Sequence, residues 1–145
     1  MITYKQGDLF KDMENWDVLV HGCNCLCNMG SGIAKQVKEL FPEAYLADQQ
    51  TIKGDVSKVG RFTKAEVDGK VIINAYTQKK YLPRGIDHFE YFGFTQILRK
   101  LNFDYKGKTI AMPLIGAGLA GGNWDKIEKI IKENTDKVNV IIYAL

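Results

Sequence analysis

Apolar residues along the chain fall into short continuous runs that alternate with stretches of helical spacing. Asp17-Val-Leu-Val-His21 is too short a run for a helix and predicts a buried strand, as do Thr109-Ile-Ala-Met112 and the closing Val138 to Leu145. Ile2 to Lys5 predicts a first short strand. Val59 to Val67 and Lys70 to Tyr76 predict two more, joined at Asp68-Gly69, a dipeptide that favours a hairpin turn. Ile33, Ala34, Val37, Leu40 and Phe41 share one helical face, opposed by Lys35, Gln36, Lys38 and Glu39, and Ser31 stands where it can cap that helix. Further helices are predicted over Pro42 to Thr51, from about Asp87 to Leu101, and from Trp124 on, where Ile127, Ile130 and Ile131 extend an apolar stripe.

Strands and helices alternate from end to end without a linker, a charge block or a repeat, so residues 1–145 read as a single α/β domain. The 145 residues are 46% hydrophobic and 26% charged, as in a globular chain. A domain of this size buries roughly 68–70% of its unfolded surface and needs no disulfide or structural metal. Twenty basic against 17 acidic residues give a net charge of +3, enough to favour phosphorylated ligands but short of a nucleic-acid-binding footprint. Cys23, Cys25 and Cys27 form neither a CxxC pair nor a disulfide framework, and in an extended segment their side chains diverge, which argues against one shared metal. The expected setting is the reducing cytoplasm, because the start carries no signal-peptide pattern and no apolar run nears the roughly 20 residues of a spanning helix.

Two strand-loop-helix units carry glycine-rich loops, Met29-Gly-Ser-Gly-Ile33 and Ile115-Gly-Ala-Gly-Leu-Ala-Gly-Gly122. Such loops present backbone N–H groups, and a helix start adds free donors and partial positive charge, so a facing pair suits a diphosphate. Tight turning alone would also account for either loop. Neither is a Walker loop, and neither has the spacing of a dinucleotide fingerprint. Asp8 can accept from an exocyclic amine or close a turn onto its own backbone. His21, at the end of a buried run, is either an acid–base group titrating near neutrality or a hydrogen-bonded core residue. Tyr76, Tyr81, Phe89, Tyr91, Phe92 and Phe94 read as packing residues rather than as a base-stacking surface.

Gly7-Asp-Leu-Phe10, His21-Gly-Cys-Asn24, Met29-Gly-Ser-Gly-Ile-Ala34 and Pro113-Leu-Ile-Gly-Ala-Gly-Leu119, in this order, resemble the macrodomain family over essentially the whole chain. The similarity is greatest to its small single-domain members of phage and bacteria, of the ADP-ribose 1''-phosphate phosphatase and terminal ADP-ribose glycohydrolase types. The resemblance implies a three-layer α/β/α sandwich with a central mixed sheet, holding ADP-ribose or a related nucleotide without cofactor or metal. By matching positions, Asp8 and Leu9 would receive the adenine, flanked by Leu145 at the end of the last strand. Asn24 would approach the distal ribose. Met29, Gly30, Ser31, Gly32 and Ile33 would surround the diphosphate and distal ribose together with Ile115, Gly116, Ala117, Gly118, Leu119 and Ala120. His-Gly-Cys-Asn-Cys and Phe41-Pro-Glu-Ala44 are similar to the phosphatase type, which puts His21, Asn24 and Asn28 forward as catalytic residues. Lys79 matches the nucleophilic lysine of the glycohydrolase type, whereas Ala120 stands where that type carries an acid. Three functions follow: hydrolysis of ADP-ribose 1''-phosphate, removal of ADP-ribose from protein or nucleic acid through Lys79, or binding of ADP-ribose without turnover. A monomer is expected, with ADP-ribosylated macromolecules as partners under the second reading.

Overall fold

The computed structural model describes residues 1–118 and 120–145. Five parallel strands, β1 (Ile2–Gln6), β2 (Val18–Cys23), β4 (Lys70–Tyr76), β5 (Thr109–Pro113) and β6 (Asn139–Ala144), are joined at one edge by β3 (Phe62–Val67), antiparallel to β4. The sheet order is β1-β6-β5-β2-β4-β3. Helices α1 (Gly32–Leu40), α2 (Pro42–Gln49), α3 (Tyr91–Asp104) and α4 (Trp124–Asn134) cover its two faces.

Alternation along each strand makes this a three-layer sandwich. Val18, Val20, Ile73, Ala75, Ile110, Met112, Val140 and Ile142 point to one face, where they meet Phe94, Ile97, Leu98 and Leu101 of α3 and Ile127 and Ile131 of α4. Leu19, Ile72, Ala111 and Tyr143 point the other way, against Val37 of α1, Ala44 of α2 and the indole of Trp16. Trp16 Nε1 donates to the Leu9 carbonyl, so even this buried ring has its polar atom satisfied. No helix among the described residues is long and apolar enough to cross a membrane.

The predicted elements all form, with shifted ends. Asp68 and Gly69 both have positive φ, 50° and 79°, as a two-residue hairpin turn requires. β3 begins at Phe62 rather than Val59, because Asp55 caps a 3-10 turn over Val56–Lys58 and Gly60 follows at φ 87°. α3 begins at Tyr91 rather than near Asp87. The N–H groups of His88 and Glu90 are bonded to the carbonyls of Ala120 and Thr77, and that of Phe89 to the Asp87 carboxylate, which keeps this stretch out of a helix. Ser31 occupies the N-cap of α1 in extended conformation, yet its hydroxyl makes no cap bond.

After β2 the chain crosses through α1 and α2 towards the β3 edge, whereas after β5 it crosses through α4 towards β1. β2 and β5 are neighbours, so their following loops part company and open a crevice at the carboxyl end of the sheet. This is the switch point where open α/β sheets take ligands.

Candidate functional site

The crevice has a volume of about 590 Å3 and is walled by the loop after β2, the loop after β5 and the segment after β4. The loop after β2 is built by its own amides. Asn24 Oδ1 accepts from the Leu26 N–H at 2.9 Å, and its Nδ2 donates to the Asn28 carbonyl at 3.0 Å. Asn28 Oδ1 accepts from the Gly30 N–H at 2.9 Å, and its Nδ2 donates to the Tyr81 hydroxyl at 3.1 Å, a bond from one wall to the next. The base of the loop is stitched down where the Cys25 N–H meets the Lys79 carbonyl and the Gly54 N–H meets the Cys25 carbonyl. Cys23, Cys25 and Cys27 are free thiols used in this packing, and burial pushes the thiols of Cys23 and Cys25 above the ordinary cysteine range.

The loop after β5 turns at Gly116, where φ is 77° and the Phe89 ring occupies the space a Cβ would need. The Gly122 N–H returns to the Gly116 carbonyl at 2.7 Å and closes the loop on itself. The third wall is held from behind by His88, whose Nε2 lies 2.5 Å from the Pro83 carbonyl.

Ten of the sequence-predicted positions meet on this crevice: Asn24, Asn28, Gly30, Ser31, Gly32, Ile33, Ile115, Gly116, Gly118 and Ala120. Ala120 presents only a methyl group there. Leu119 lies outside the described residues. Ala117 is not on the lining. Met29 is buried in the core on the α1/α2 side rather than exposed to the crevice.

His21, expected as a catalytic group, lies off the crevice lining. Strand alternation puts it on the face of Leu19, away from the crevice, fully buried behind α2. Its Nε2 lies 2.7 Å from Asn74 Oδ1, while Asn74 Nδ2 donates to the Ala44 carbonyl at 2.9 Å and to Thr63 Oγ1 at 3.0 Å. These donations orient the amide, so His21 must carry its proton on Nε2. Burial holds the imidazole neutral, its pKa pushed down to about 4.

Lys79, expected as a nucleophile, lies in the segment after β4. It is exposed and does not line the crevice, whereas the preceding residue, Gln78, does. The positions expected to hold the adenine lie at the far edge of the sheet, where the Gly7 N–H bonds the Ala144 carbonyl at 2.7 Å and joins the ends of β1 and β6. There Asp8 is half-buried and its Oδ1 accepts from the Phe10 N–H at 2.9 Å, capping a 3-10 turn; Leu9 is core, and Leu145 is exposed.

Sequence reading missed Gly22, Thr77, Gln78, Tyr81 and Arg84, all on the lining. The signal available for Thr77 and Gln78 was their place just beyond the apolar run of a central strand. Arg84 is the one charged side chain among the described residues that line the crevice.

A family model described as Macro domain matches residues 20–131. Among curated relatives, a 17.5 kDa uncharacterized protein of the tk-vs intergenic region of Enterobacteria phage T4 is 36% identical, over 98% of this chain and 95% of its own length. An ADP-ribose 1''-phosphate phosphatase of Candida albicans is 30% identical over 100% of both chains. A DNA ADP-ribosyl glycohydrolase of Mycobacterium tuberculosis is 29% identical over 99% of this chain, which spans only 42% of that protein. Among solved structures, a protein of unknown function from Bacteroides thetaiotaomicron superposes with a TM-score of 0.89 at 26% identity, covering 100% of this chain and 98% of the other. The macrodomain of Mycobacterium tuberculosis DarG gives 0.79 at 26% identity, with 100% and 98% covered.

Proposed function

The chain belongs to the Macro domain family, and from that premise we propose that it hydrolyses ADP-ribose 1''-phosphate to ADP-ribose and inorganic phosphate. The observation that carries this reading is the charge of the crevice. Among its described lining residues are amides, hydroxyls, glycine backbone and a single cation, Arg84, without a carboxylate. Such a lining suits a polyanion. The diphosphate would accept from the free N–H groups at the start of α1 and from the loop after β5. Arg84 would pair with the terminal phosphate, a bond strengthened by the charge on both partners. One water enters and the phosphate ester bond to the distal ribose breaks, with catalysis coming from orientation and from fixed donors rather than from a strong base. The full-length similarity to a phosphatase of Candida albicans supports the same choice.

Removal of ADP-ribose from a macromolecule through a lysine adduct is less well supported, since Lys79 is off the lining and Ala120 offers no acid. Binding without turnover is the reading that the lack of a base among the described lining residues favours. Phosphate release from ADP-ribose 1''-phosphate, run beside ADP-ribosylated DNA as competing substrate, separates the three. Release of phosphate supports the phosphatase, release of ADP-ribose from DNA the glycohydrolase, and neither, with ligand bound, the binding module.

A further inference from the structure

The loop after β5 is clasped from outside by the segment that leads into α3. Tyr91, the first residue of that helix, is half-buried, and its ring packs edge-on against Phe89 with 5.1 Å between centroids. Its hydroxyl donates to Asp87 Oδ2 at 2.6 Å and accepts from the Asn123 N–H at 2.8 Å. A phenol has one proton and a backbone N–H can only donate, so the two bonds allow no other order of donors. The Asp87 carboxylate thus polarises the hydroxyl that holds Asn123, and a bond to a charged acceptor is the stronger kind.

Asn123 is where the loop ends and α4 begins. Its side chain caps that helix, accepting from the Lys126 N–H at 3.3 Å, and the Lys126 ammonium lies 5.4 Å from the centre of the Tyr91 ring. Other contacts of the same segment fall along the loop. The His88 N–H bonds the Ala120 carbonyl at 2.8 Å, and the Phe89 ring fills the space beside Gly116. A Cβ on Gly121 would stand 2.6 Å from the Ile86 carbonyl oxygen, so glycine is what lets the two segments come this close. Of these contacts, the Tyr91 bond is the one made by a polar side-chain atom. Asp87, Tyr91 and Asn123 are not on the crevice lining, so the hydroxyl acts on a ligand only through the loop.

We propose that Tyr91 is a positioning residue for the glycine loop after β5: its hydroxyl, held by Asp87, fixes where the loop ends and keeps the loop's N–H donors arranged for a diphosphate. Without that clasp the loop has to be ordered when the ligand arrives, and the ordering lowers affinity. This assignment rests on the reading of the crevice as an ADP-ribose site, and it does not depend on whether the ligand is hydrolysed.

The test combines calorimetric titration of the intact protein with ADP-ribose and amide hydrogen exchange of the ligand-free protein followed by mass spectrometry. Tyr91→Phe keeps the ring and removes the hydroxyl. It is expected to weaken ADP-ribose binding about fivefold, within the range of one lost hydrogen bond, and to speed exchange in residues 114–123 but not in the loop after β2. Asp87→Ala should give a comparable loss of affinity, and the double variant should lose no more than the larger single loss, because both substitutions open the same clasp. Wild-type affinity in Tyr91→Phe would overturn the proposal, even with faster exchange in the loop, since the bond would then be structural alone. Faster exchange throughout the protein, or losses that add in the double variant, would overturn it as well. A wild-type protein that does not bind ADP-ribose would overturn the reading of the crevice itself, and the positioning role with it.

Discussion

His21 Nε2 donates to Asn74 Oδ1 across 2.7 Å in the layer between the sheet and α2, and the two remaining amide hydrogens of Asn74 go to Ala44 and Thr63. The imidazole therefore works as a buried neutral donor that ties β2 to β4 and, through Asn74, to α2. A buried pair of this kind is costly to break, because the surviving partner is left unsatisfied.

The acid stability of the protein should report this directly. Burial lowers the His21 pKa from 6.5 to about 4, so between those values the unfolded chain binds a proton that the native protein refuses. The stabilisation is complete above pH 6.5 and is lost as pH falls through 4, amounting to about 3 kcal/mol over that range. Urea unfolding at a series of pH values should show the loss in wild type and not in His21→Gln. An unchanged pH profile in that variant would mean that another group governs the transition.

Lys79→Ala should leave turnover of ADP-ribose 1''-phosphate within about twofold of wild type, as expected of an exposed residue away from the crevice lining. Initial-rate kinetics decide this. A loss of about a hundredfold or more would restore the lysine-adduct mechanism.

Arg84→Gln should raise KM for ADP-ribose 1''-phosphate about tenfold or more, since a charge-assisted bond to phosphate contributes roughly 1.5–3 kcal/mol. Affinity for ADP-ribose, which lacks the terminal phosphate, should fall much less. Equal losses for the two ligands would place Arg84 against the diphosphate instead.

Gly116→Ala should lower both stability and binding. At φ 77° an alanine is strained, and its methyl would collide with the Phe89 ring that anchors the loop, so a destabilisation of about 1–3 kcal/mol is expected by thermal or chemical unfolding. Gly118, where added bulk meets nothing, is the control, and Gly118→Ala should keep the stability of wild type.

The apolar runs of β2, β4, β5 and β6 were legible because a continuous apolar run of strand length is what burial on both faces of a parallel sheet demands, and the stripe of α1 was equally plain. The two glycine loops were legible as a pair, and they face each other because each follows one of two neighbouring central strands. What stayed hidden depended on the direction of single side chains. His21 and Gly22 are adjacent in sequence, yet one is sealed behind α2 and the other floors the crevice. Lys79 and Gln78 differ in the same way, and no periodic signal marks which residue of an irregular segment turns inward. Arg84 sits in a stretch whose path is set by distant partners, the carbonyls of Ala120 and Thr77 that accept from His88 and Glu90.

Phosphorus NMR of ADP-ribose 1''-phosphate incubated with the purified protein tests the central claim most directly, because it follows binding and chemistry together. The predicted result is a growing inorganic-phosphate signal, with the diphosphate resonances shifted by binding but intact. A substrate spectrum unchanged in both phosphate ester and diphosphate, at protein concentrations above that of the ligand, would contradict the claim.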